Sequence, residues 1–134
     1  MAKEFVLSNA ARSAACDAIV DLLDVGAGTT SNCVIGTAAS ATDLVTIPLG
    51  ATAFAAASNG VAAMTTATAT GTAAAAGTAA RFRLEDQATP TETKVADGNV
   101  GTTGTSFTMS ITNTTIAVSD VIQLTAMSVT VPAS

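Results

Sequence analysis

The sequence contains no histidine, tryptophan or tyrosine. Without histidine the chain lacks the commonest general base and the commonest metal-ligating side chain. It also lacks an essential member of the Ser-His-Asp and Cys-His arrangements of nucleophilic catalysis. Tryptophan and tyrosine are the usual aromatic anchors of binding sites, and four phenylalanines are the only aromatic residues. We therefore predict that the protein is not an enzyme and that it uses no metal or cofactor.

Positive charge and long apolar runs are scarce as well. The chain has 5 Lys and Arg against 10 Asp and Glu, a net charge of -5, and so cannot form the extended basic surface that nucleic acid requires. No apolar run approaches the roughly 18 residues of a membrane span. The short apolar stretch Phe5-Val6-Leu7 falls below the about 7–15 residues of a secretory signal. We expect no nucleic-acid or membrane partner, and synthesis in a cytoplasm.

Alanine and threonine dominate what is present. They number 30 and 24, and together they fill 54 of the 134 positions. A chain of this length forms one domain by the usual prior, so we assign residues 1–134 to a single domain. Large apolar side chains are few, and the sequence predicts a thin core built to a large extent from small residues.

One helix is predicted, over residues 8–24. Ser8 is a good N-cap residue, and apolar residues recur at helical spacing, so we expect packing on the β core through Ala15, Ile19 and Leu22, in a stripe widened by Cys16 and Leu23. Three aspartates on another face, at 17, 21 and 24, are interpreted as a solvated face, with a cation site as the alternative. Gly26 and Gly28 are predicted to end the helix.

Residues 31–132 have the pattern of strands and turns. The predicted fold is mainly β, an antiparallel β-sandwich or small barrel with the helix packed across an open edge or end. A single helical turn after Phe54 and a turn at Asp97-Gly98 are also predicted. The predicted strands and hairpin are Asn32–Gly36, Asp43–Leu49, Val61–Ala69, a hairpin over 78–97, and a long final strand Val121–Val131.

The sequence contains no strong motif for metal binding, phosphate binding or catalysis. Cys16 and Cys33 are too few for a structural zinc site without histidine, and we interpret them as buried, unbridged thiols of a reducing compartment. The spaced glycines at 98, 101 and 104 lack the lysine and the following helix of a phosphate loop. The adjacent carboxylates Glu85 and Asp86 would point to opposite faces of a strand. We assign no catalytic residue.

The most informative feature is the distribution of charge. No charged residue occurs from Leu44 to Ala80 or from Gly98 to Ser119. Uncharged strand surfaces invite pairing with other chains, which predicts that neighbouring subunits cover these segments, although a hydrated threonine-rich surface is the alternative. Thr66 and Thr108 are the candidate interface residues. The charged hairpin residues are predicted to face outward or lie at the rim: Arg81, Arg83, Glu85, Glu92 and Lys94.

The order of segments resembles a family of small virion proteins of tailed bacteriophages. The resemblance rests on the short opening Glu4–Arg12, the acidic helix Ala15–Asp24, the strand Ala79–Leu84, the turn Asp97–Gly101 and the closing Ser128–Pro132. The alanine-rich residues 51–80 depart from the family's pattern.

This resemblance implies a capsid decoration, or cement, protein assembled in the host cytoplasm and located on the capsid surface of the virion. It further implies the major capsid protein as partner and a homo-oligomer, a trimer. A tail or head–tail-joining protein is an alternative. An extracellular adhesin-like binding module is another, against which the missing tryptophan and tyrosine count.

Overall fold

The computed structural model describes residues 5–24, 31–86, 94–102 and 109–133. In this part of the chain one α-helix, α1 (Asn9–Asp21), precedes a series of short strands, and a brief 3-10 turn lies at Ala38–Ser40. The strands are β1 (Ser31–Gly36), β2 (Asp43–Gly50), β3 (Val61–Ala63), β4 (Ala69–Thr72), β5 (Gly77–Thr78), β6 (Arg81–Glu85), β7 (Lys94–Gly101), β8 (Met109–Ser110), β9 (Thr115–Ile116), β10 (Val121–Leu124) and β11 (Ser128–Thr130).

The largest sheet has five strands in the order β2-β1-β6-β7-β8 and curls into a half-barrel. Its neighbours are antiparallel except for β7 and β8, which run parallel. Three two-stranded ladders accompany it: β10 with β4, β11 with β3, and β5 with β9. The prediction of a mainly β fold with one N-terminal helix is confirmed.

Strand β1 is the centre of the core, and all six of its residues are buried. Ile35 lies between Val45 of β2 and Phe82 of β6 in the hydrogen-bonded register. These three side chains share one face of the sheet, because directly opposite residues point the same way. The predicted strands 32–36 and 43–49 are confirmed within one residue at each end.

Small residues let the ladders approach the sheet closely. A Cβ atom at Gly71 of β4 would collide with the backbone carbonyl oxygen of Thr46 in β2. Ala62, Ala69 and Ala73 are also buried, and their short side chains permit the same close packing of backbones. The core therefore contains many small residues, as the composition predicted.

Several predicted strands end earlier than expected, because their residues pair with different partners. The predicted strand Val61–Ala69 is wrong beyond Ala63, where β3 ends. The predicted long strand Val121–Val131 is two strands, because β10 pairs with β4 whereas β11 pairs with β3. Residues 125–127 connect the two ladders.

Two predicted turns are replaced by extended chain. Phe54 starts no helical turn but forms an antiparallel bridge with Met64, so pairing overrides the helix propensity of the following alanines. Asp97 and Gly98 lie within β7, opposite Arg83 and Phe82 of β6. In both places contacts with a distant segment decide the local structure.

The helix forms where it was predicted but buries another face. The Ser8 side chain accepts a hydrogen bond from the Ala11 N–H at 3.2 Å, which confirms the N-cap. Leu22 is 54% exposed, and the buried apolar residues are instead Cys16, Val20 and Leu23. The predicted packing is therefore wrong for the exposed Ala15 and Leu22, whereas Ile19 is half-buried and Cys16 and Leu23 of the predicted stripe are buried. The helix ends at Asp21 with Leu22 as its C-cap, three residues earlier than predicted, and Gly26 and Gly28 lie outside the described residues.

This helix face can be tested with two aspartate substitutions. Val20→Asp buries a charge, and we expect a loss of at least about 3 kcal/mol in the free energy of unfolding. Leu22→Asp, the matched control, places the same charge in solvent and should cost less than about 1 kcal/mol. Chemical denaturation followed by circular dichroism measures both values. Equal losses would contradict the assigned face.

Candidate functional site

The ladder of β4 and β10 turns an uncharged row of side chains outward. Thr70 lies opposite Gln123, and Thr72 lies opposite Val121. All four residues are exposed, and Val121 keeps 67% of its surface accessible. These four side chains therefore present hydroxyl, amide and methyl groups without any formal charge, and the exposed Asp120 lies beside Val121 at one end of the ladder.

The ladder of β3 and β11 repeats this arrangement. Its outward pairs are Ala63 with Ser128 and Val61 with Thr130, all exposed. We name the outward residues of both ladders the ladder surface. It consists of Val61, Ala63, Thr70, Thr72, Val121, Gln123, Ser128 and Thr130. Strand surfaces of soluble proteins usually carry charges that prevent pairing with other chains, and none of these positions does.

Helix α1 packs across the ladder of β3 and β11. The Arg12 Nε–H donates to the Val131 carbonyl oxygen at 2.9 Å, and the Cys16 thiol donates to the Val129 carbonyl oxygen at 3.3 Å. Four helix residues rise about 6 Å, and two strand residues span about 6.6 Å. The spacing of the two donors therefore matches the spacing of the two carbonyl groups.

The helix and the turn that follows it bind the backbone of residues 53–60. Asp17 Oδ1 accepts from the Ala57 N–H at 2.6 Å, and Asp24 Oδ1 accepts from the Ala53 N–H at 3.1 Å. The interpretation of the aspartates as a solvated face is therefore wrong for both residues. It holds for Asp21, which is exposed and has no side-chain partner among the described residues. The accepting carboxylates hold the segment that leads into β3.

The charges of the β domain concentrate on the five-stranded sheet instead. The Arg83 guanidinium, on β6, donates two hydrogen bonds to the Asp43 carboxylate at 2.6 and 2.8 Å and a third to Glu85 at 2.6 Å. The hydrogen bonds from Arg83 hold the pKa of Asp43 below its ordinary value, and the same bonds raise the pKa of Arg83. Glu85 is buried, so its predicted outward position is wrong.

A second ion-paired group lies between β6 and β7. Asp97 contacts Arg81 at 3.1 Å and Lys94 at 3.2 Å, and the hydrogen bond from Lys94 lowers the pKa of Asp97. Glu85 and Lys94 are opposite in register, yet each forms its ion pair with another residue. Glu92, another of the hairpin residues predicted to face outward, lies outside the described residues.

A cleft of about 1170 Å³ lies between β6, β7 and β8 of the sheet and β10 and β11 of the ladders, and Gln123 and Ser128 of the ladder surface are among its lining residues. Apolar side chains such as Phe82 and Leu124 line it, together with the carboxylates of Asp97 and Asp120. Asp97 is ion-paired, and Asp120 accepts from the Ala117 N–H at 2.8 Å. Both carboxylates therefore have structural partners, and no group of three metal-ligating residues occurs among the residues described.

The two cysteines are buried free thiols. Burial, with a smaller contribution from the Glu85 carboxylate, raises the pKa of Cys33 to about 12. The thiolate is the reactive form of cysteine, so Cys33 stays protonated and unreactive at neutral pH. The Cys16 thiol donates a hydrogen bond to the Val129 carbonyl oxygen and is buried in the core.

The interface candidates from the sequence differ from the ladder surface. Thr66 is half-buried, and its hydroxyl donates to the Leu49 carbonyl oxygen at 3.1 Å, so it supports the end of β2. Thr108 lies outside the described residues. Sequence reasoning missed Val121 and Gln123 because Asp120 interrupts the uncharged run before them. The alternation of exposed and inward residues over 121–124 was the signal that could have found them.

Comparison with protein-family models, curated proteins and solved structures finds no match for this chain. Among the described residues, no helix is both long and apolar enough to cross a membrane. The ladder surface is therefore the candidate functional site.

The contact between the helix and residues 53–60 can be tested at Asp17. Asp17→Ala leaves the Ala57 N–H without its acceptor, and we expect a loss of about 1–3 kcal/mol in the free energy of unfolding. Asp21→Ala removes the same side chain from the same helix without removing a contact, and should change stability by less than about 0.5 kcal/mol. Urea denaturation of both variants provides the comparison, and an unchanged Asp17 variant would contradict the contact.

The Arg83 contact predicts a pH dependence. Because the pKa of Asp43 is lower in the folded chain than its ordinary value of 3.8, its stabilising effect is present above that value. The effect is lost as the pH falls through the lowered pKa. Asp43 is half exposed, so Asp43→Asn should cost only about 1 kcal/mol at pH 7.

Thermal unfolding from pH 7 to pH 2 measures this dependence. The difference between wild type and Asp43→Asn should shrink as the solution is acidified. Asp21→Asn, at a carboxylate without a described partner, should follow the wild-type curve. A difference that is independent of pH would contradict the assignment.

Proposed function

We propose that this chain is a structural protein of a tailed-bacteriophage particle, a decoration protein that docks non-covalently on the assembled capsid and stabilises it. The observation that carries the proposal is the uncharged ladder surface. Interface cores are depleted in charged residues, because burying an unpaired charge is costly. The hydroxyl groups of Thr70, Thr72, Ser128 and Thr130 can exchange water for polar groups of a partner at a smaller cost.

The stabilising effect follows from mass action. A protein that binds the assembled shell in preference to free subunits lowers the free energy of the assembled state by its binding free energy. Many copies on one lattice add their contributions, so a modest affinity at each site is sufficient. No catalytic group is needed for this role. The proposed partner is the major capsid protein, together with further copies of this chain as a trimer.

The position of the charges supports one orientation. Arg81, Lys94 and Asp97 keep more than a third of their side-chain surface in solvent. They lie on the five-stranded sheet, whereas the ladder surface belongs to the separate two-stranded ladders. In the proposed arrangement the ladder surface meets the shell and the charged hairpin lies outward or at the rim.

Two isosteric substitutions test the proposal. Gln123→Glu adds one negative charge to the ladder surface, and Asn99→Asp adds one to the charged sheet, opposite Arg81. We expect Gln123→Glu to weaken docking on capsids at least about tenfold, corresponding to about 1.4 kcal/mol. Asn99→Asp should dock as the wild type does. Occupancy is measured by titrating each variant onto particles that lack the protein, after denaturation shows that both folds are intact.

The wild-type protein should also raise the temperature at which such particles release their DNA. Unchanged heat resistance at full occupancy would overturn the stabilising role. Equal docking of both variants would overturn the ladder surface as the docking surface. Protein found only on tails in electron micrographs would support a tail protein instead.

A further inference from the structure

The chain contains one Asn-Gly pair, Asn59-Gly60, at the tip of a tight turn. Asn59 and Gly60 have φ angles of 53° and 79°, the left-handed conformations of a type I′ turn. Ser58 and Val61 flank the turn and exchange two backbone hydrogen bonds, at 2.9 and 3.0 Å. The Asn59 side chain is exposed, so its amide is open to solvent.

The backbone nitrogen that follows Asn59 is held against helix α1. The Gly60 N–H donates to Ser13 Oγ at 3.1 Å, and the Gly60 carbonyl oxygen accepts from the Val131 N–H at 2.8 Å. A Cβ atom at Gly60 would lie 2.8 Å from Arg12 Cβ, so only glycine fits. Gly60 is buried although its neighbour is exposed.

We propose that Asn59 is a site of spontaneous deamidation and that Ser13 restrains the reaction in the folded protein. The Gly60 nitrogen loses its proton and attacks Asn59 Cγ, which forms a C–N bond and closes a five-membered imide. The Cγ–Nδ2 bond breaks, and the nitrogen leaves as ammonia with that proton. Water then opens the imide at either carbonyl group, giving aspartate or isoaspartate. Glycine favours this step because it has no Cβ to hinder the attack.

The restraint follows from the geometry of Gly60. Its N–H must be deprotonated, yet it is buried and donates to Ser13 Oγ. Ring closure must also rotate the peptide bond between the two turn residues, which breaks that hydrogen bond and disturbs the pairing of Ser58 with Val61. The reaction therefore proceeds from states in which the turn has locally separated from the helix. The stability of this contact sets the rate.

Aspartate or isoaspartate at position 59 would change both the charge and the backbone of the turn before β3. A new carboxylate would enter the uncharged run Leu44–Ala80, next to Val61 of the ladder surface. Isoaspartate also lengthens the backbone by one carbon, which a two-residue turn of defined geometry does not accommodate. The reaction is irreversible in its loss of ammonia, so the modified fraction would accumulate with the age of the protein.

The experiment compares the full chain with two variants at mildly alkaline pH. Ion-exchange chromatography follows the acidic product, and peptide mass spectrometry locates it. Ser13→Ala removes the acceptor of the Gly60 N–H, and we expect a severalfold faster reaction at Asn59. Alanine has a higher helix propensity than serine, so weaker helix formation would not explain this increase. Asp21→Ala, on an exposed part of the same helix, should leave the rate unchanged.

Denatured wild type gives the unrestrained rate, which should exceed the folded rate. Asn99 and Asn113 are internal controls in the same digest, since β-branched residues follow them and hinder ring closure. Equal rates in folded wild type and Ser13→Ala would overturn the restraint. Acidic product that maps to another asparagine, or none from the denatured chain, would overturn the site.

Discussion

The side chains of helix α1 and of the turn after it form hydrogen bonds with backbone groups of the β3–β11 ladder and of residues 53–60. A two-stranded ladder is marginally stable by itself, and its edges leave N–H and C=O groups that require partners when they are covered. Arg12 and Cys16 bind the carbonyl groups along β11, while Ser13, Asp17 and Asp24 bind N–H groups of residues 53–60. The helix thus holds β3 and β11 in place, and through them half of the ladder surface.

Small residues explain why such polar contacts matter here. Alanine at 62, 69 and 73 and glycine at 71 let the ladders lie close to the sheet. Each buries little apolar area, and hydrophobic stabilisation scales with that area. Large buried side chains such as Ile35, Ile47 and Leu49 belong mainly to β1 and β2. The two-stranded ladders therefore depend more on hydrogen bonds for their stability than the five-stranded sheet does.

Local patterns predicted the elements whose own residues carry a clear signal. The Ser8 cap, β1 and β2 follow from residues within one short window, and their positions were correct. The buried helix face and the split of β10 from β11 depend on segments far along the chain, so periodicity could not select them. The ion-pair partner of Arg83 lies 40 residues away. For the candidate site, the uncharged run to Ala80 was visible in the sequence, whereas Gln123 joins it only through the pairing of β10 with β4.

Arg83 also determines how the sheet would respond to mechanical force. Its guanidinium reaches from β6 across β1 to Asp43 on β2, the edge strand of the sheet. A pull on β2 would therefore act on β6 through this ion pair as well as on β1 through the backbone ladder. The tension would be divided between two strands at a point where Asp43 lies opposite Gly36 and the register shifts. The ion pair between Asp43 and Arg83 thus lies at the irregular end of the ladder between β1 and β2.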